Sequence, residues 1–264
     1  MIDAHNHLDR CADPLAERDA ARALGVQAQI MAGVDAAGWR AQARLARQPD
    51  LWVTFGVHPW TAARCDDAEL AWALAVLPAA LDGALDVAPV GLGELGLDHG
   101  RRLPAASSAR QERAFRAQLG LARERNLPLV LHIVQAHGRA LEILREEGLP
   151  AAGGMVHSAS IPAELVPAWL DLGLYLSWSG ALSRQDKLRA AASRVPLDRL
   201  LVETDAPDQP PRGHGTPNRP AWLPEVVAAL AGVHGVDAAT MAEHTTNNAR
   251  RLFGLEAPVG LETP

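Results

Sequence analysis

Short apolar runs alternate along this chain with longer Ala-, Leu- and Arg-rich stretches whose apolar positions recur at helical spacing. The runs Ile2–His7, Ala28–Gly33, Trp52–His58, Val90–Asp98, Leu127–Ile133, Gly154–Ser158, Leu174–Ser179 and Leu200–Asp205 predict strands. The stretches Leu15–Leu24, Ala36–Arg47, Asp67–Leu81, Ala109–Arg125, Arg139–Glu147, Pro162–Leu172, Ser183–Ser193 and Ala221–Val233 predict one helix after each strand. Such alternation argues for a parallel sheet, and eight β-then-α units in 264 residues match the size of a (β/α)8 TIM barrel. Ala238–Leu252 predicts an extra C-terminal helix packed outside. Pro207–Pro220 is a loop between the eighth strand and its helix, too short to divide the chain, so a single domain over 1–264 is expected.

A barrel of this kind works at the C-terminal ends of its strands, which is where the polar residues of the predicted strands are informative. His5 and His7 close the first strand, and a spacing of two puts both rings on one face, able to converge on one ion. Glu94 lies among small residues in the fourth strand, His132 ends the fifth, His157 the sixth and Asp205 the eighth. Four imidazoles and two carboxylates form a mixed nitrogen and oxygen shell suited to two borderline divalent ions such as Zn, Mn or Co, and to Mg with more water ligands. Glu94 is the natural bridge between two ions. Asp205 is placed both to ligate and to accept a proton as general base.

Composition narrows the class. The chain is 48% hydrophobic and 21% charged, enough for a buried core and unlike a disordered or membrane sequence. There is no run of eighteen apolar residues and no signal-like start, and Cys11 and Cys65 read as two reduced thiols, so a cytoplasmic protein without membrane contact is expected. Net charge is −6, which gives no global field toward nucleic acid. With 7 Trp, 3 Phe and 1 Tyr, a base-stacking binding module is also disfavoured. An anionic substrate must be handled locally, and two divalent ions would supply four positive charges where it sits. Ten histidines stand against one lysine, Lys187.

The segments Asp3-Ala-His5-Asn-His7-Leu-Asp9, Gly56-Val-His58-Pro59, Gly93-Glu94-Leu-Gly96-Leu-Asp98, Pro128-Leu-Val-Leu-His132, His157-Ser158 and Glu203-Thr-Asp205-Ala-Pro207 occur in order and at workable spacing. Together they resemble the TatD family of metal-dependent hydrolases, within the amidohydrolase-like superfamily, from Met1 to about Phe253. The resemblance implies a TIM-barrel hydrolase of ester bonds, a phosphodiesterase or deoxyribonuclease acting transiently on DNA or short nucleotides. It places His5, His7, Glu94 and Asp205 on one ion and Glu94, His132 and His157 on the other, with Zn, Mn or Mg as the metal and Asp205 and Glu94 as the catalytic pair. It favours substrate contact by His58, and Arg219 and Asn218, on a loop at the site end of the barrel, are expected to contact substrate too. A monomer or small homo-oligomer is expected.

The sequence departs from the family pattern after two ligands. Val134 and Gln135 stand where Arg-Asp usually follows the strand-five histidine, removing a phosphate-facing cation. Ser158-Ala159-Ser160-Ile161 replaces the usual Cys-Phe-Ser/Thr-Gly. These changes leave open an alternative substrate, a small ester, amide or aminoacyl compound. Glu203 and Asp98 read equally as groups orienting a ligand or as structural acids, and Asp3 reads as structural. Among loop arginines, Arg101, Arg102, Arg139, Arg184 and Arg212 are further candidates to replace the missing cation.

Overall fold

A computed structural model describes residues 1–104 and 107–255; positions 105–106 and 256–264 of the expected 1–264 domain lie outside the described residues. Eight parallel strands run in sequence order: β1 Ile2–Asn6, β2 Ala28–Ala32, β3 Leu51–Phe55, β4 Gly91–Asp98, β5 Leu129–Val134, β6 Gly154–Val156, β7 Tyr175–Trp178 and β8 Leu200–Val202. The helices between them are α1 Pro14–Ala23, α2 Ala36–Leu45, α3 Pro59–Arg64, α4 Asp67–Leu81, α5 Ser108–Arg125, α6 His137–Glu147, α7 Val166–Leu170, α8 Asp186–Ala192 and α9 Leu223–His234, and α10 Ala238–Phe253 is the extra C-terminal helix. This is a nearly closed (β/α)8 TIM barrel. Helix starts follow local chemistry: Asp13, Asp35 and Asp237 each accept from a backbone N–H of the first turn, and Asp66 with Glu69 forms a reciprocal capping box on α4.

No ladder joins β8 to β1 among the described residues, and the seam is closed by other means. Asp205 N donates to His5 O at 3.0 Å and His7 N to Ala206 O at 2.8 Å. Beneath them Asp3, fully buried, accepts from Thr204 N at 2.9 Å, Thr204 Oγ1 at 2.6 Å and Asn6 Nδ2 at 3.0 Å. The structural reading of Asp3 therefore has a specific content: its carboxyl is the clasp across the open seam.

Strand alternation carries the composition of the barrel interior from apolar to polar. Ile2, Ile30, Val130, Met155, Tyr175 and Leu201 pack with Ala249, Leu252 and Phe253 of α10 into an apolar plug at the N-terminal end. Two residues further along stand His132 on β5 and, just past the ends of β6 and β8, His157 and Glu203; two further still are Val134 and Asp205. Close strand approach is permitted by glycine: a Cβ on Gly93 would lie 2.5 Å from Val130 Cβ, and one on Gly56 would lie 2.6 Å from Gly93 C.

The strands are shorter than the apolar runs. β3 stops at Phe55, and His58 is the N-cap of α3, a helix the sequence pattern did not predict. β6 and β8 end before His157 and Asp205, so both ligand candidates sit on the first residues of the loops.

Candidate metal centre

Glu94, 1% exposed, stands at the centre of the C-terminal mouth with its two oxygens facing different groups. Oε2 lies 3.2 Å from His7 Nε2 and 3.6 Å from His5 Nε2, and these rings lie 3.7 and 3.6 Å from Asp205 Oδ1. Oε1 lies 2.9 Å from His157 Nε2, 3.3 Å from His132 Nδ1 and 3.5 Å from His58 Nε2. The structure thus brings together all six expected ligand residues and His58. Three overlapping sets have ligand atoms mutually within 4.8 Å: His5, His7 and Glu94; His5, His157 and Asp205; His58, Glu94 and His132.

The residues fit divalent cations on their own chemistry. Among the described residues both nitrogens of His5 and Oε2 of Glu94 are buried without a hydrogen-bond partner, and His132 Nδ1 lies 2.9 Å from His157 Nε2. Buried polar atoms are normally satisfied, and a convergence of nitrogen and carboxylate lone pairs is reconciled by a cation. Burial opposes ionisation of Glu94, yet His157, His58 and His5 hold it well below the usual carboxylate range. Burial and the charge of His157 push His5 well below its ordinary value. Burial also raises Asp205 to about 6, against the pull of His157 and His7.

Groups behind the rings decide which nitrogen is presented. His7 Nδ1 lies 3.3 Å from the Ala32 carbonyl, which only accepts, so Nδ1 carries the proton and the Nε2 lone pair faces Glu94. His58 is reversed. Its Nδ1 accepts from Trp60 N at 2.9 Å, so the neutral ring carries its proton on Nε2 and faces the centre as a donor. Burial lowers this ring to about 4, keeping it neutral. His132 Nε2 lies 3.4 Å from Asp98 Oδ2, and His157 Nδ1 lies 3.4 Å from Glu203 Oε1. Against burial, hydrogen bonds accepted from His132, Trp60 and Gly100 N hold Asp98 at about 2. For Asp98 and Glu203, the orienting and structural readings therefore coincide.

Above the centre opens a cavity of about 1230 Å³ lined by His58, Trp60 and Val134, and by Arg10, Arg64, Arg101, Arg102 and Arg184. None of these five arginines has an ion pair among the described residues; Arg64 lies over the Trp60 ring at 5.1 Å. Two expected substrate contacts lie elsewhere. Arg219 Nε bonds both oxygens of Glu17 at 2.9 and 3.0 Å and does not line the cavity, because the loop turns its guanidinium toward α1. Asn218, 2% exposed, spends its amide on Thr204 O and Asp208 O, holding the loop after β8. Arg139 pairs with Glu112, and Arg212 caps Ser183 O. Trp178 is buried in the core.

Sequence reasoning assigns no role to several residues that shape the site, although the segment from Gln111 to Leu119 resembles family positions. Gln111 binds Asp98 N and O, and Gln118 binds Val57 N and O, so two amides seven apart on α5 clamp the ends of β4 and the approach to His58. Buried glutamines at helical spacing were the available signal. Arg10 and Arg64 were missed because they lie in helical turns after the strands. Among the described residues, four of the six non-glycine residues with positive φ line the cavity: Gln135, Ser158, Asp205 and Gln209. Their strained backbones mark the mouth as a place where geometry is held by its surroundings.

A TIM barrel carrying a buried histidine and carboxylate cluster at its C-terminal mouth has the architecture of a metal-dependent hydrolase. Residues 2–254 match the model of the TatD related DNase family, and the chain belongs to that family. It is 33% identical over 245 residues to the 3'-5' ssDNA/RNA exonuclease TatD of Klebsiella pneumoniae, covering 89% of this chain and 90% of that one. It is 40% identical over 171 residues to the uncharacterized metal-dependent hydrolase YcfH of Escherichia coli K12, a match spanning 64% of either chain and so less than two thirds of that relative's length. The crystal structure of YJJV, a TatD homolog from Escherichia coli K12, superposes with a TM-score of 0.87 at 30% identity, covering 97% of this chain and 98% of that one. No single helix among the described residues is long and apolar enough to cross a membrane.

Proposed function

We propose that this hydrolase is a two-metal phosphodiesterase acting on DNA or short nucleotides. The observation that carries the reading is the division of Glu94, with Oε2 toward His5 and His7 and Oε1 toward His132 and His157, beneath five arginines that have no ion pair among the described residues. His5, His7, Glu94 and Asp205 would hold one cation, and Glu94, His132 and His157 the other. Such cations supply Lewis acidity, making water a stronger acid and offsetting charge on a phosphoryl oxygen.

The remaining roles belong to the chain. Asp205 takes the proton of the attacking water, being a carboxylate at the floor of the cavity that is not shared between the two groups. His58 Nε2–H donates to a phosphoryl oxygen, a role its proton arrangement suits and ligation does not. Arg10, Arg64, Arg101, Arg102 and Arg184 bind the flanking phosphates, and the Trp60 ring offers a face to a base. Their number answers the loss of the cation that Val134 replaces. An overall acidic protein thereby presents a cationic mouth.

The test is a substrate panel on the metal-loaded chain: a single-stranded oligonucleotide, a chromogenic phosphodiester, and neutral esters, amides and aminoacyl compounds. Phosphodiester turnover lost on chelation and restored by Zn, Mn or Mg is expected. Turnover of the neutral compounds alone would overturn the reading in favour of the small-substrate alternative, for which Val134 in the cavity wall is the one supporting observation.

A further inference from the structure

Gln209 lies in the loop after β8, with φ at 55°, and lines the cavity beside Asp205. Its Nε2 donates to Asp205 Oδ2 at 2.8 Å and to Ser158 Oγ at 2.5 Å, while its Oε1 accepts from Ser179 Oγ at 3.0 Å. The orientation of the amide is settled by chemistry, because an ionised carboxylate only accepts and must face the NH2 group. The loop backbone is itself fixed. Asp208 N donates to Asp205 O at 2.8 Å, and Gly180 admits Gln209 O so closely that a Cβ there would lie 2.4 Å from it.

Asp205 has two oxygens and two demands. Oδ1 faces His5 and His7 at 3.6 and 3.7 Å, whereas Oδ2 is taken by the Gln209 amide. A carboxylate on this loop would otherwise be free to rotate between these directions. The amide is in turn supported from two other strand ends, since Ser158 follows His157 and Ser179 follows β7. Ser158 N also donates to Glu203 Oε1 at 2.6 Å, the oxygen nearest His157 Nδ1.

We propose that Gln209 is a positioning residue, anchored by Ser158 and Ser179, whose amide holds Asp205 Oδ2 so that Oδ1 is presented to the His5–His7 pair. This rests on Asp205 being a ligand in the reading above. Nothing in the strand pattern reveals the role, because the residue lies in an irregular loop and acts through its neighbour.

The test compares the full-length chain with Gln209→Met, which keeps length and loses the amide, and with Ser179→Ala, which leaves Asp205 untouched but frees the amide to turn. Calorimetric Mn²⁺ titration of chelator-stripped protein should show one of two ions binding ~10- to 100-fold more weakly in Gln209→Met, the effect expected of a group behind a ligand, and a smaller loss in Ser179→Ala. The other ion should bind as in the unsubstituted chain, and the melting temperature of stripped protein should stay near that of the parent. With bis(4-nitrophenyl) phosphate, kcat should fall while KM holds. Unchanged Mn²⁺ affinity in Gln209→Met would overturn the proposal, as would equal weakening of both ions or no Mn²⁺ binding by the parent. Weakened binding of one ion in a parent that does not turn over the phosphodiester would keep Gln209 in its role and overturn the phosphodiesterase reading instead.

Discussion

The two sides of Glu94 are built differently. On the side of β1 and β8, His7 is backed by a main-chain carbonyl, His5 has no hydrogen-bond partner on either nitrogen among the described residues, and Asp205 is steadied by a neutral amide. On the side of β4 to β6, His132 and His157 each have a carboxylate behind them, Asp98 and Glu203. Ring pKa values do not simply follow that division, since on the first side His7 is raised against burial by Glu94 and Asp205. Burial depresses His5, whereas His132 is raised against burial by Asp98 and Glu94, and His157 by Glu94 and Glu203. Burial is common to all four rings, so it is the carboxylates near each ring, Glu94 among them, that raise His7, His132 and His157. One side is oriented by a backbone carbonyl and a neutral side-chain amide, the other by charged side chains.

The largest expected effect removes the element both sides share. Glu94→Gln should lower turnover on the order of 10³-fold, beyond the ~10- to 100-fold cost of changing a group behind a ligand, and should weaken both ions in a metal titration. Loss of one ion alone would show that the two sides do not share Glu94. Next comes Asp98→Asn, which keeps the shape and the bond to Trp60 but removes the charge behind His132. It should weaken one ion ~10- to 100-fold and leave the other unchanged. Equal loss on both sides would erase the contrast.

These two residues also show how unevenly the site could be read. Glu94, His132 and Asp205 were legible because barrel topology makes strand position equivalent to location at the mouth, and a period of two selects the inward face. The eight strands and α10 were legible for the same reason, as periodicity reports burial. Loop residues obey no period. Arg219 and Gln209 lie ten positions apart on one loop, and nothing local distinguishes the one that turns to Glu17 from the one that turns to Asp205. Their directions are set by contacts with α1 and with the ends of β6 and β7, remote in sequence.

A third change acts on the foundation of the β1 and β8 side. Asp3→Ala would leave Thr204 N, Thr204 Oγ1 and one hydrogen of Asn6 Nδ2 without their acceptor at the seam. A buried donor left unmade costs about 1–3 kcal/mol, and part of the loss is offset because the burial that raises Asp3 to about 7 no longer opposes folding. Urea unfolding of chelator-stripped protein should therefore show a loss of about 2 kcal/mol. The same measurement on Asp98→Asn should show less, since Asp98 supports a ring and not a seam. Equal losses would mean that the two sides share one structural foundation.

The smallest expected effect separates two arginines of the loops. Arg219 pairs with Glu17 and its side chain is 44% exposed, so Arg219→Ala removes a surface ion pair worth about 0–1 kcal/mol and should leave KM for an oligonucleotide unchanged. Arg102 lines the cavity with no acidic partner among the described residues, so Arg102→Ala should raise that KM several-fold and flatten its dependence on salt, as the loss of one phosphate contact does. A rise in KM for Arg219→Ala would mean that the loop releases Glu17 when substrate enters, extending the cationic rim toward the β1 and β8 side. An unchanged KM confines phosphate recognition to the five arginines of the cavity wall, where the guanidinium groups have no carboxylate to give up before they bind.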